Sequence, residues 1–371
     1  MHYFLTVVGL LYLVPTLGQP LQSPVRESIQ DKVYLNAIGQ AQRYIDSLQT
    51  SQDIPGISIC VGTQNKILWA QGFGYADLEA QLPVTIHTKF RLGSVSKSVT
   101  SLAIGRLVEQ RQLDLDAPVQ QYVPGFPLKK FAFTPRQLAT HTAGIRHYLD
   151  TDPLACAKHY ATVQEGLTIF SQDTLLFPPG SAYNYSTYGY TLLSAVIEGA
   201  SHTDYLSYMQ QAVFAPLKMS DTGADYSDSI VLNRVRFYEH QQKKRVNAAL
   251  IDNSYKWAGG GLLSTPMDLI KLGVELIHPT TLRKETIALL LTPQRLQNGT
   301  NTHYAMGWRT GMDRQSRPII HHGGLIDGGR TFLLVYPAQD LIVAITANMS
   351  GVRINLPELE TIAGYFLNVK R

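Results

Sequence analysis

Cysteine is nearly absent from this chain: Cys60 and Cys156 are the only two among 371 residues. Two thiols so far apart make no metal site. Cys60 lies in the strand-like run ISICVG and is expected to be a buried small hydrophobe, with a bridge to Cys156 left open. Charge is sparse as well, at 16% of residues against 44% hydrophobic, which speaks against disorder. The net charge is only +4, and no Lys/Arg block points to nucleic acid or a membrane surface. The one short basic run, QKKRV at Gln242 to Val246, reads as a solvated loop or helix end. Internal repeats and long low-complexity tracts are missing, as is any H-E-x-x-H. Neither metal nor cofactor is expected. The apolar run Phe4 to Val14 has eleven residues, short of the roughly 20 that a bilayer takes.

That run is followed by PTLGQP, with small residues at Thr16 and Gly18 placed for signal cleavage after Gly18. The first arginine is Arg26, too late for an arginine-rich organelle presequence. Residues 1–18 are therefore expected to be a secretory signal, 19–32 a polar linker and 33–371 the working part. A secreted, extracellular protein without a transmembrane span in its mature form follows. Sequons at Asn184, Asn298 and Asn348 fit that location, Asn298 and Asn348 being the candidate glycan sites.

The chain is long enough to bury a large core, as one domain or two intimate ones. Apolar groups at Ile38, Ala41, Ile45 and Leu48 predict a helix, and GISICVG with KILWAQGFG predicts a hairpin. Helical patterns broken by prolines run from Ser94 to about Asp152 and from Tyr160 to about Ala215. Two strands, GGRTFLLVYP and DLIVAITAN, come late, and Leu359, Ile362, Ala363 and Phe366 mark a terminal helix. Strands at both ends with helices between predict an α+β fold. Its antiparallel sheet draws on residues 33–93 and about 256–371, and residues 94–255 form a mainly helical insertion.

Three segments carry candidate chemistry. In FRLGSVSKSVTSLAIG, Ser94 and Lys97 stand at i and i+3 on one face of a helix start, where unpaired N–H groups and the positive dipole end lie. A lysine titrates near pH 10.4 when free, so burial or a nearby cation must lower that value before it can act as a base. An ordinary capping serine followed by a surface lysine is the bland alternative. PPGSAYNYSTYGY delivers Tyr183, Tyr185, Tyr188 and Tyr190 from a loop into a helix, and one of them can shuttle a proton. In IIHHGGLIDGG, two glycines after a histidine pair allow close backbone approach to a ligand. Zinc ligation by these histidines or by His141 and His147 has no support from spacing. Thr265, Pro266 and Asp268 form a helix cap, and Gly259 to Gly261 bring their loop near the pocket.

Taken in order, SVSK, YST and HHG followed by GG resemble the S-x-x-K, Y-x-N and K/H-x-G motifs of the serine β-lactamase and penicillin-binding peptidase family, class C-type. The flanks IPGISICVG, LATHTAGIRHY and GGGLLSTPMDLIKL extend the likeness over about Ile54 to Met349. The resemblance implies the β-lactamase/transpeptidase-like fold and an acyl-enzyme mechanism. It implies Ser94 as nucleophile, Lys97 as base, Tyr185 as proton carrier to the leaving group and His321 in place of the usual lysine. It further implies an oxyanion hole from the N–H groups of Ser94 and Gly324, with Thr187 and Gly323 lining the substrate. Thr187 stands where the family has asparagine. An animal branch of the family is mitochondrial, which makes that the alternative location.

The leading reading is thus a cofactor-free serine hydrolase for peptides or small esters and amides. The alternative is a catalytically silent relative that binds a peptide or assembles with itself, so a homo-oligomer stays open.

Overall fold

The computed structural model describes residues 27–150, 152 and 157–369. The expected leader, residues 19–26 of the linker and Cys156 lie outside the described residues. The N-terminal part supplies β1 (Ser28–Gln30), α1 (Leu35–Ser51), β2 (Gly56–Gly62) and β3 (Ile67–Asp77). Short β4 (Phe90–Arg91) leads into α2 (Val95–Glu109), and α3 (Thr187–Ser201) follows a long irregular stretch. Then come β5 (Leu262–Ser264) and α4 (Pro266–Ile277). The C-terminal part adds β6 (Arg309–Met312), β7 (Pro318–Ile326), β8 (Gly329–Tyr336), β9 (Leu341–Ala347) and α5 (Leu356–Leu367).

The main sheet is antiparallel and runs β1-β3-β2-β9-β8-β7-β6, with Leu82–Pro83 added beside β3. Both chain ends build it, so the expected α+β arrangement is the one observed. The predicted hairpin is β2–β3, in register Ile59↔Gln71. Ser28–Gln30, expected to belong to a linker, instead pairs with β3 as an edge strand. Its backbone groups find partners there, which a free linker would leave to water.

Strand residues alternate between two buried layers. Ile57, Ile59 and Val61 of β2 with Leu334 of β8 and Val343 of β9 face α1 and α5, in one core with Ile38, Ala41, Ile45, Leu359, Ile362 and Phe366. Cys60 of β2, Leu333 and Val335 of β8 and Ile342 of β9 face the other way, toward α2, α3 and α4. Burial pushes the Cys60 thiol up, as expected of an inert small hydrophobe.

The helical insertion is less helical than its pattern suggests. Between α2 and Asp152 it holds only short turns and Pro135–Ala139. Pro118, Pro124, Pro127 and Pro135 interrupt that stretch, and each removes a helix donor. The basic run forms an exposed hairpin tip at Gln242 and Lys243 and continues into the strand Lys244–Asn247, which pairs with Tyr238–Gln241. Asn348 cannot take a glycan in this fold: it is fully buried and its Nδ2 donates to the Tyr75 carbonyl. Asn298 sits on an exposed loop. Among the described residues no helix is long and apolar enough to cross a membrane.

Candidate active site

Ser94 caps α2 at the end of a tight turn. Gly93 has φ +49°, and Val95 and Ser96 donate back to the carbonyls of Leu92 and Gly93. The Ser94 hydroxyl makes no helix-capping bond, so it is left for other partners. Sequence periodicity suggests an α2 buried on one side only, but Val95 through Gly105 are buried all round. Lys97 therefore sits at zero exposure inside the protein.

Its amine has three contacts: Ser94 Oγ at 3.1 Å, Thr187 Oγ1 at 3.1 Å and the Gly259 carbonyl at 2.6 Å. Among the described residues no carboxylate comes within ion-pair distance of it. Burial, then the charges of Lys256 and Arg309, holds Lys97 well below the usual lysine value. A neutral amine has two hydrogens and one lone pair. The hydrogens suit Gly259 O and Thr187 Oγ1, and the lone pair is left to accept the Ser94 hydroxyl proton.

Tyr185 reaches the same point from the loop before α3. Its hydroxyl contacts Ser94, and the Lys97 amine lies 4.8 Å from its ring centroid. Burial pushes the phenol up, against smaller downward effects of Ser94 and Arg309. Tyr185 is thus a protonated donor rather than a phenolate. Its loop is held from below by two histidines. His141 Nδ1 accepts the Ser186 N–H at 3.1 Å and His147 Nδ1 the Thr187 N–H at 3.2 Å. Burial with Lys97 and Lys256 pushes His147 down to about 4, so it stays the neutral acceptor.

On β7 the histidine expected in the site is the wrong one of the pair. His321 faces the α1/α5 layer, where its ring stacks on Phe332 at 5.6 Å. His322 points to the Ser94 side, is buried, and lies 6.5 Å from the Tyr185 ring. Its Nδ1 donates to the Gly323 carbonyl at 2.8 Å, so its Nε2 accepts the Tyr304 hydroxyl at 2.9 Å. The pleat explains the correction: neighbours on a strand face opposite ways.

The same alternation revises the two glycines. A Cβ on Gly323 would meet the Phe332 ring at 2.9 Å, on the far layer. A Cβ on Gly324 would stand 1.9 Å from the Leu92 carbonyl and 3.2 Å from the Ser94 nitrogen. Gly324 thus lets the strand press against the Ser94 turn. A Cβ on Gly93 would lie 2.9 Å from the Leu325 nitrogen, so Leu325 turns its amide to the open edge beside that turn. Gly324, one residue earlier, then turns its own N–H toward β8 (it pairs with Thr331). The donor beside the Ser94 amide is Leu325, not Gly324.

A cavity of about 450 Å³ opens beside the serine, lined by Ser94, His147, Thr187, Lys256, Leu325 and Asp327 among others. Ser94, Lys97, Tyr185 and Thr187 thus converge, whereas His321 and Gly323 do not. Sequence reading missed Lys256, Leu325, Tyr304 and Arg309. The segment Tyr304 to Trp308 offered one signal, an aromatic pair around a glycine. It clamps α2 from behind, Ser98 donating to the Gly307 carbonyl and Trp308 Nε1 to Ser101 Oγ.

The profile of the beta-lactamase family matches residues 41–356. The human protein named serine beta-lactamase-like protein LACTB, mitochondrial, is 31% identical, over 89% of this chain and 80% of that one. Among solved structures, the octameric penicillin-binding protein homologue from Pyrococcus abyssi superposes with a TM-score of 0.75 at 26% identity. That match covers 89% of this chain and 76% of the other. The penicillin binding protein from Bacillus halodurans, at 23% identity, shares the fold with a TM-score of 0.73 over 87% of this chain and 98% of its own. Family profile, relatives and fold agree, and this chain belongs to the beta-lactamase family of serine hydrolases.

Proposed function

We propose that this chain hydrolyses peptides or small esters and amides through an acyl-enzyme on Ser94. The observation that carries this is the buried Lys97 amine 3.1 Å from the Ser94 hydroxyl, with no carboxylate within ion-pair distance among the described residues. Lys97 takes the Ser94 proton as Oγ bonds to the substrate carbonyl carbon. The resulting oxyanion accepts the N–H groups of Ser94 and Leu325, a contribution of about 10²-fold or more per donor. Collapse breaks the bond to the leaving group. Tyr185 gives that group its proton and regains one from Lys97. Water then repeats the sequence on the acyl ester and frees Ser94. His322, neutral and tied to Tyr304, positions the aromatic wall rather than carrying charge.

A fluorophosphonate or penicillin-type probe is expected to label the wild type on Ser94, with no labelling of Ser94→Ala. Equal labelling of both would overturn the assignment. For location, the name of the human relative favours the mitochondrial alternative over secretion. Fusing residues 1–32 to a fluorescent reporter separates the two, since a signal to the medium would restore the secretory reading. The octameric solved relative supports self-assembly as a companion proposal, readable by light scattering.

A further inference from the structure

A second cavity, of about 530 Å³, opens toward the far end of α3 and shares no lining residue with the one beside Ser94. Glu198 on its wall lies about three turns, or about 16 Å, along α3 from Thr187. Ala195, Glu198 and Gly199 stand at i, i+3 and i+4, so one face of the helix forms that wall. The loop from Tyr122 to Pro127 and the short helix Val163–Leu167 supply the other sides. Gly199 permits this packing, since a Cβ there would stand 1.9 Å from the Tyr122 carbonyl oxygen. Val123, Phe126, Leu167 and Ala195 are buried and apolar, whereas Gln164 and Thr168 at the mouth are exposed.

Among the described residues that line this cavity, Glu198 carries the one charged side chain. Its Oε1 accepts the Tyr205 N–H at 3.0 Å and its Oε2 the Gln164 side-chain amide at 3.1 Å. A carboxylate can accept about four hydrogen bonds, so each oxygen keeps capacity for a further donor. Burial pushes the Glu198 carboxyl up, and the charge that adds to this effect is another acid, Asp204. Among the described residues no cation lies within ion-pair distance of Glu198. Lys129 packs on the Phe126 ring at 5.3 Å, but its ammonium is taken up by the carbonyls of Ser171 and Asp173. A half-buried carboxylate without a counter-ion, set in an apolar wall, is complementary to a cation with an apolar body.

We propose that this cavity binds a small ammonium compound, its charged nitrogen on Glu198 and its aryl or alkyl body among Val123, Phe126 and Leu167. The site lies apart from Ser94 and stands whether or not the chain turns over esters.

Three probes of one shape and different charge test this by calorimetric titration of the full chain: 2-phenylethylamine, 2-phenylethanol and phenylacetate. The wild type is expected to bind the amine about 10-fold or more tighter than the alcohol, the worth of a charge-assisted hydrogen bond, and the anion least. Glu198→Gln keeps an acceptor for the Tyr205 N–H and is expected to bring the amine down to the affinity of the alcohol. Thr168→Phe puts a ring at the exposed mouth and is expected to weaken amine and alcohol alike. Wild-type binding of the alcohol or the anion as tight as that of the amine overturns the inference, as does no amine binding at millimolar concentration. Amine binding that either substitution leaves unchanged also overturns it, and Thr168→Phe decides alone should Glu198→Gln not fold.

Discussion

Lys97 Nζ stands 3.1 Å from Ser94 Oγ, and among the described residues no carboxylate lies within ion-pair distance to hold a proton on the amine. A lysine that paired with an acid would remain an ammonium and could only donate. Here burial and two neighbouring cations push the amine toward its neutral form, the form that the proposed pairing of base and nucleophile requires.

Lys97→Met is expected to abolish turnover and raise stability. Lys97 is held neutral in the folded protein but is protonated in the unfolded chain below about pH 10.4. The unfolded state thus binds the extra proton, and wild-type stability rises with pH from the folded value of Lys97 up to about 10.4. Apolar replacement removes that cost, a gain upwards of about 1 kcal/mol at neutral pH. The gain should shrink toward pH 10.4. Denaturant melts of both proteins across that range check it, and a less stable Met variant at neutral pH would contradict it.

The pH profile of kcat/KM on a neutral ester is expected to be broad. Activity rises as Lys97 loses its proton, well below the ordinary lysine value. It falls only when Tyr185 ionises, which burial moves above the ordinary tyrosine range. An ascending limb near pH 10.4 would mean that Lys97 is not the neutral base.

The two strand histidines should separate cleanly. His322→Gln is expected to cost upwards of about 10-fold in kcat, because the Tyr304 hydroxyl and the wall beside Tyr185 lose a buried partner. His321→Gln, on the far layer against Phe332, is expected to stay within about 3-fold. Reversed magnitudes would show that the pleat is in the other phase.

Gly324→Ala tests the close approach of β7 to the nucleophile turn. Its Cβ would stand 1.9 Å from the Leu92 backbone oxygen, so strand or turn must move. The expected cost is about 1–3 kcal/mol in stability, with a fall in kcat as Ser94 and the Leu325 amide part. Gly125→Ala, with open space around it, is the control.

Much of this protein is decided along the chain itself. Local spacing sets the helical stripes of α1 and α5, the β2–β3 hairpin, the order of elements and the pairing of Ser94 with Lys97, because neighbours within a turn or a pleat share a face whatever lies beyond. Tertiary structure decided the rest. β7 is covered on both faces, so apolar alternation cannot tell His321 from His322, and the choice of phase comes from what packs on each layer. The lowered basicity of Lys97 depends on burial and on Lys256 and Arg309, residues 159 and 212 positions further along the chain. Distant charges and depth of burial are properties of the assembled fold, and no local pattern encodes them.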